Sequence, residues 1–368
     1  MPFEKYKSSK EEIKNAEEMM TDNEKSATEK RILELKEKRS GIPDVMPLYE
    51  GSLLEVRRDQ AEAVKENLDK NDQLVLGIAP RTGSTSTMEL LGSMYKQEGV
   101  GVILSSSHRR PDEIRRKILD LRIERDKGPN KDKEIIVIID EANGLLALQG
   151  NVEKGDSDAE DKDILDGFYK IFEKGKKDKV KFVFLSHDFY GEDGEGGVNA
   201  MKKFLQKSPG GAEAKTADMQ LETLDKQGLG KVFDILAKEK LLPPDLIERR
   251  EEILSLSTTP QQISLIVKEY LKAINNGEDD AEAWKKAIIL ENTIENSMSD
   301  LVRICGGEHM KKLLERVAEK GTLSLTDLDE KERKLYDRYK KFHIFEEEGD
   351  GIRINGKMLE GLVKEGRL

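Results

Sequence analysis

Two adjacent carboxylates, Asp140 and Glu141, end the apolar run "IIVIIDEANGL" (135–145). Acids at the end of a core strand are costly to keep there without a partner. An Asp in this position can hold magnesium, directly or through water, and a following Glu can activate an attacking water. The plainer alternative is that both acids cap the loop that follows. A second polar group, "SHD" (186–188), closes the apolar run "KFVFL" (181–185). Ser186 there occupies the place of a group that senses a terminal phosphate, which makes Glu141 and Ser186 the candidate catalytic residues.

The stretch "LVLGIAPRTGSTSTMELL" (74–91) reads as a buried strand, a tight polar turn and an amphipathic helix. Such a turn can hold phosphate, because successive backbone N–H groups point at the anion where the helix dipole favours it. The pattern that exploits this is G-x-x-x-x-G-K-[ST], with lysine on the outer phosphates and the hydroxyl on magnesium. Gly83 fills the second glycine and Thr85 the hydroxyl position, but Ser84 stands where lysine belongs. Ile78 stands at the first glycine, with Gly77 one residue early. The candidate nucleotide-binding residues are therefore Pro80, Arg81, Thr82, Gly83, Ser84, Thr85 and Ser86, with Thr85 and Asp140 for the metal.

Losing the lysine has a definite scale. One unit charge pair at 4 Å is worth roughly 4 kcal/mol at an effective dielectric of about 20. Forfeiting half of that weakens binding roughly 30-fold. Arg81 lies in the loop and is the natural stand-in, since guanidinium pairs well with phosphate oxygens; a plain surface charge is the open alternative. Arg109 and Arg110 read as surface charges.

These motifs need a scaffold. Short Val/Ile/Leu runs at 74–78, 100–104, 135–139 and 181–185, with a weaker one at 217–224, are spaced by helix-length stretches. Continuous apolar runs mark strands buried on both faces, so 45–225 is expected to be an α/β domain built on a parallel five-stranded sheet. Ligands bind at the carboxyl ends of such strands, where all three motifs fall. The polar stretches 151–163 and 191–197 read as solvated loops.

Residues 226–300 lose the strand pattern and read as a helical lid, with Pro243, Pro244 and Pro260 separating helices. Residues 301–368 read as helices followed by a hairpin, "HIFEEEGDGIRI" (343–354), which is the pattern of a winged helix-turn-helix. Its expected recognition helix, "KERKLYDRYKK" (331–341), carries six basic residues against two acidic ones. Lys331, Arg333, Lys334, Arg338 and Lys341 are the candidate DNA contacts, with Lys340 beside them. The acidic wing, "EEEGDG" (346–351), opposes that role, and protein docking or a structural role stays open. Residues 1–44 form a charged extension, read as a frayed helix or disordered tail, or as a segment that binds a protein partner.

Composition sets outer limits. The chain has 368 residues, 37% of them charged and 5% aromatic, and a net charge of −11, so any DNA contact must come from a local patch. Its single cysteine, Cys305, excludes a disulfide framework, and the histidines at 108, 187, 309 and 343 lack zinc-ligand spacing. Apolar runs fall far short of the roughly 20 residues that a membrane helix needs. With no apolar signal-peptide core at the N-terminus, a soluble, cytoplasmic protein is expected.

Taken together, residues from about 47 to 365 resemble the archaeal ATPases of the STAND class, P-loop proteins related to AAA+ ATPases. "PLYEGSLLEVRRDQAEAVKENL" resembles their F-x-G-R-E-x-E-L lead-in, with Ser52 in place of the arginine, and "GIAPRTGSTS" resembles G-P-R-R-T-G-K-T-S. "KSPGGAEAKTADMQLETLDKQ" resembles the segment after their fourth strand, and "LSTTPQQISLIVKEYL" the helix opened by their G-x-P signature, with Thr258 replacing its glycine. The resemblance implies an ATP- and magnesium-operated switch that locks the sheet domain against the helical lid, with Pro260 near the base. It also implies a C-terminal winged helix. The rival reading is a catalytically inactive pseudo-ATPase serving as a DNA-binding or protein-interaction module. A third is a replication-initiator-like AAA+ protein. An oligomer is compatible with all three.

Overall fold

The computed structural model describes residues 56–79, 84–106, 111–128, 130–155, 159–175, 177–187, 196–209, 213–238, 242–288 and 292–368. The charged extension 1–44 and the loop residues Pro80, Arg81, Thr82 and Gly83 lie outside them, as do Ser52, Arg109 and Arg110.

Helix α1 (Arg58–Asp69) leads into β1 (Gln73–Ile78), and α2 (Ser84–Gln97) follows the candidate loop. Next come β2 (Gly101–Ser106), α3 (Pro111–Lys127), β3 (Ile135–Asp140), α4 (Asn143–Lys154) and α5 (Ala159–Gly175). Strand β4 (Val180–His187), α6 (Gly197–Lys207) and β5 (Thr216–Gln220) complete the sheet. Its strand order is β2-β3-β4-β1-β5, all parallel.

Side-chain alternation divides the sheet into two cores. Val75, Val137, Ile139, Phe182 and Phe184 face one core, shared with Ile118 of α3, Leu145 of α4, Phe168 and Phe172 of α5 and Phe204 of α6. Leu74, Leu76, Ile136, Ile138, Val183 and Leu185 face the other, shared with Val64 and Leu68 of α1 and Met88 and Leu91 of α2. Both faces are therefore covered, which accounts for the apolar runs in the central strands.

The weak run at 217–224 forms a strand only as far as Gln220. Leu221 N still donates to the Gly77 carbonyl at 2.8 Å, but Thr223 N donates to the Lys341 carbonyl at 3.0 Å. The chain leaves the sheet there because its hydrogen bonding passes to the C-terminal segment.

Residues 226–300 are helical among the described positions: α7 (Lys226–Lys238), α8 (Pro244–Glu248), α9 (Arg250–Leu256), α10 (Pro260–Asn275), α11 (Asp280–Ile288) and α12 (Asn292–Ile304). The C-terminal part runs α13 (Glu308–Lys320), β6 (Leu323–Ser324), α14 (Glu330–Tyr339), β7 (Phe345–Glu348), β8 (Gly351–Ile354) and α15 (Lys357–Lys364). Its strands form an antiparallel sheet ordered β6-β8-β7. Leu335, Tyr336, Tyr339 and Phe342 pack inward, and Cys305 is buried. Among the described residues no helix is long and apolar enough to cross a membrane.

Candidate functional site

The parallel registers bring three strand ends to one level. Gly77 and Ile78 of β1 pair with Ser186 and His187 of β4, and Ile139 of β3 pairs with Phe184, so Asp140 falls at the same edge. The helix that follows the candidate loop begins at Ser84.

The tips of β3 and β4 are tied together directly. Ala142 N donates to the Leu185 carbonyl at 2.8 Å. The Asn143 amide clasps the His187 backbone, with Oδ1 accepting from His187 N at 2.7 Å and Nδ2 donating to its carbonyl at 3.3 Å. This clasp sits at the first residue of α4, where Asn is a poor helix former but a good partner for loose backbone groups.

The two acids have different surroundings. Asp140 is half-buried and its Oδ1 accepts from Glu141 N at 2.8 Å. Glu141 is exposed and holds φ at 52°, a left-handed conformation that side chains other than glycine adopt at a cost of roughly 1 kcal/mol or more. The strained turn directs the second acid away from the core immediately after the first.

Ser186 is 0% exposed, and its Oγ lies 3.5 Å from the His187 carbonyl, a marginal contact. His187, the last residue of β4, is half-buried. Burial pushes its imidazole pKa down; Asp140, Glu141 and a hydrogen bond to the Ile78 backbone oppose that, while Arg303 adds to it. Its Nδ1 is buried without a hydrogen-bond partner among the described residues. Arg303, on α12, is the weakest of these influences on the imidazole, and its exposed guanidinium pairs with Asp300 at 3.2 Å.

The remaining candidates are dispersed. Ser86 is half-buried in the first turn of α2. Pro260 is the first residue of α10, in a capping box where Thr259 accepts from Gln262 N and the Gln262 side chain accepts from Thr259 N. On α14, Lys331, Arg333 and Lys334 are exposed, Lys334 pairing with Glu330 at 2.7 Å and Arg333 with Asp337 at 3.5 Å. The far end of that helix faces the sheet domain: the Arg338 carbonyl accepts from Gln220 Nε2 at 3.1 Å, and Lys341 pairs with Glu222 at 3.4 Å. The structure thus groups Asp140, Glu141 and Ser186, and the carboxyl end of α14 meets the same edge of the sheet at Gln220, the β5 residue that pairs with Gly77.

Sequence reasoning missed Asn143, His187 as a facing group, and Arg303. The first two were signalled by polar residues immediately after buried runs, in "DEAN" and "SHD". Arg303 had no local signal, because only the fold brings α12 near β4.

No family model matches the chain, and no curated protein matches it. Among solved structures it is similar to the Walker-type ATPase PABY2304 of Pyrococcus abyssi, at 17% identity over 84% of this chain and 95% of that one, with a TM-score of 0.47. It is also similar to a DNA replication initiation factor, at 16% identity over 72% of this chain and 70% of that one, with a TM-score of 0.38.

Proposed function

We propose that the chain is a P-loop ATPase-like nucleotide switch of the STAND/AAA+ type, with its site at the carboxyl ends of β1, β3 and β4. The observation that carries this reading is the strand order, in which β4 lies between β1 and β3 and all three tips end at one level. The acid pair after β3 then stands one strand away from the end of β1, an arrangement that suits phosphoryl chemistry.

Asp140 offers a carboxylate at the strand tip, the kind of hard oxygen donor that a divalent cation such as magnesium takes. Held there, magnesium would supply charge neutralisation for the outer phosphates. In this reading Asp140 and Thr85 hold the metal, and residues Pro80 to Ser86 cradle the phosphates. Glu141 orients the attacking water and Ser186 senses the terminal phosphate. Pro260 lies near the base. Residues 226–300 form the lid, and 301–368 are a winged helix.

Ser84 in place of the lysine favours the rival reading of a pseudo-ATPase that acts through its C-terminal part. One titration separates the two: a fluorescent ATP analogue with magnesium, against the unaltered chain and against Ser84→Lys. The switch reading expects saturable binding to the unaltered chain, strengthened in the variant. Binding by Ser84→Lys alone would identify a retired cleft, and binding by neither would overturn the nucleotide reading altogether.

A further inference from the structure

We propose that the groove between α3 and α5 is a docking site for an acidic amphipathic helix of a partner protein. It runs along the outer side of the two helices from Asp112, in the first turn of α3, to Val180, the first residue of β4.

The two helices run in parallel and are pinned together at both ends. At one end, a Cβ on Gly167 of α5 would lie 2.7 Å from Cβ of Pro111, so only glycine permits that approach. At the other, Arg122 of α3 pairs with Asp178 at 2.6 Å, and Arg125 donates to the Asp178 carbonyl at 3.0 Å. Between these clamps lies an open groove of about 800 Å³. The separation of Pro111 and Arg122 along α3 corresponds to roughly 16 Å, or three turns of a bound helix.

The chemistry of the groove specifies its occupant. Exposed Arg115 and Arg116 line it from α3, and exposed Lys170, Lys174 and Lys177 from α5 and the turn after it. Among the described residues no carboxylate pairs with Arg116, Lys170, Lys174 or Lys177. Asp112 and Asp178 also line the groove, paired with Arg115 and Arg122, so six cations face two carboxylates; on a chain of net charge −11 this net positive patch attracts an anionic partner. The floor is apolar: Ile118, Ile171 and Val180 line it. Leu119 stands over it 51% exposed, with Ile123 one turn further along α3 at 43%. Leu119 lines the groove and Ile123 lies just beyond it on the same helix, and exposed aliphatic side chains four residues apart are the kind of anchor that a helix-in-groove contact uses.

A nucleic acid fits less well, since no aromatic ring lines the groove for base stacking. An acidic amphipathic helix satisfies both features, placing its apolar face on Leu119 and its carboxylates on the basic rims.

The test uses fluorescence anisotropy of the full chain with a labelled synthetic helix that carries a leucine stripe flanked by glutamates. Saturable binding is expected, weakened about tenfold, or about 1.4 kcal/mol, by Lys170→Glu with Lys174→Glu and similarly by Leu119→Ser. All three side chains are exposed, and a thermal melt checks that the variants remain folded. Replacing the leucines of the peptide with serine should weaken binding to the same extent. Equal binding of the serine peptide, or displacement by a single-stranded oligonucleotide in a manner blind to Leu119→Ser, would reduce the groove to a general polyanion surface and overturn the proposal. Absence of saturable binding would overturn it as well.

Discussion

Asn143 and His187 exchange two hydrogen bonds, side-chain amide to backbone, across the tips of β3 and β4 at 2.7 and 3.3 Å. They hold the acid-bearing turn against the neighbouring strand. Asn143→Ala removes both and leaves His187 N and its carbonyl to find water. A loss of about 2 kcal/mol is expected at about 1 kcal/mol per bond, read as a lower urea midpoint at unchanged slope. The nucleotide-switch reading adds weaker ATP-analogue binding in the same variant. An unchanged midpoint would show that the clasp contributes nothing to stability.

His187 makes stability depend on pH with a definite sign. Burial holds its folded-state pKa below the ordinary value near 6.5, so on acidification the unfolded chain takes up the proton first. The contribution is fully present above about pH 6.5 and is lost as pH falls from there towards the depressed folded value. His187→Asn should flatten that part of the stability profile. Denaturant midpoints measured from neutral pH down to about pH 5 test this, and identical slopes for wild type and His187→Asn would refute it.

Much of this architecture was legible in the sequence, because buried parallel strands are uniformly apolar. The runs at 135–139 and 181–185 correspond to β3 and β4, extended at their carboxyl ends by Asp140 and by Ser186 and His187. The edge strand was less legible. Asp218 and Gln220 give β5 no apolar run, and its end is set by a non-local bond from Thr223 to Lys341, to which a local pattern is blind. Helix α15 was also less legible: Met358, Leu359, Leu362 and Val363 line one face, but eight residues are too short a stretch for their spacing to declare a helix. At the site, residue type revealed the acids, whereas Arg303 depends on tertiary placement alone.

Glu141 combines a strained backbone with a chemical role. Its φ of 52° suits glycine, so Glu141→Gly should raise stability by about 1 kcal/mol, partly offset by the greater freedom of glycine in the unfolded chain. Glu141→Gln keeps the strain and should leave stability unchanged. In the ATPase reading both variants lose turnover and retain nucleotide binding. Turnover by Glu141→Gln at the wild-type rate would remove the residue from the water-orienting role.

Gly167 tests the clamp between α3 and α5. Gly167→Val puts methyl groups where Pro111 Cβ and Cγ already lie within 2.8 Å of an ideal Cβ. Relief requires α5 to move away from α3, against the packing of Leu165 and Phe168 on the sheet. A cost of about 1–3 kcal/mol is expected from overpacking, whereas glycine-to-valine changes at exposed helical positions are usually neutral or favourable. A melting temperature equal to that of wild type would show that the two helices yield freely.

The basic helix α14 makes the DNA reading quantitative. Its carboxyl end is committed to the sheet domain: the Arg338 and Lys341 carbonyls accept from Gln220 and Thr223, and Lys341 pairs with Glu222. Any phosphate contact therefore falls mainly to the exposed Lys331, Arg333 and Lys334. The surface pairs of Lys334 with Glu330 and Arg333 with Asp337 present little obstacle, since exposed ion pairs contribute about 1 kcal/mol or less. If α14 binds duplex DNA, Lys331→Ala and Lys334→Ala should each weaken affinity irrespective of sequence and lower the salt slope by about one. Lys341→Ala should change the slope less, because its charge already faces Glu222. A slope that responds most to Lys341→Ala would mean that the carboxyl end of α14 leaves the sheet domain when DNA binds.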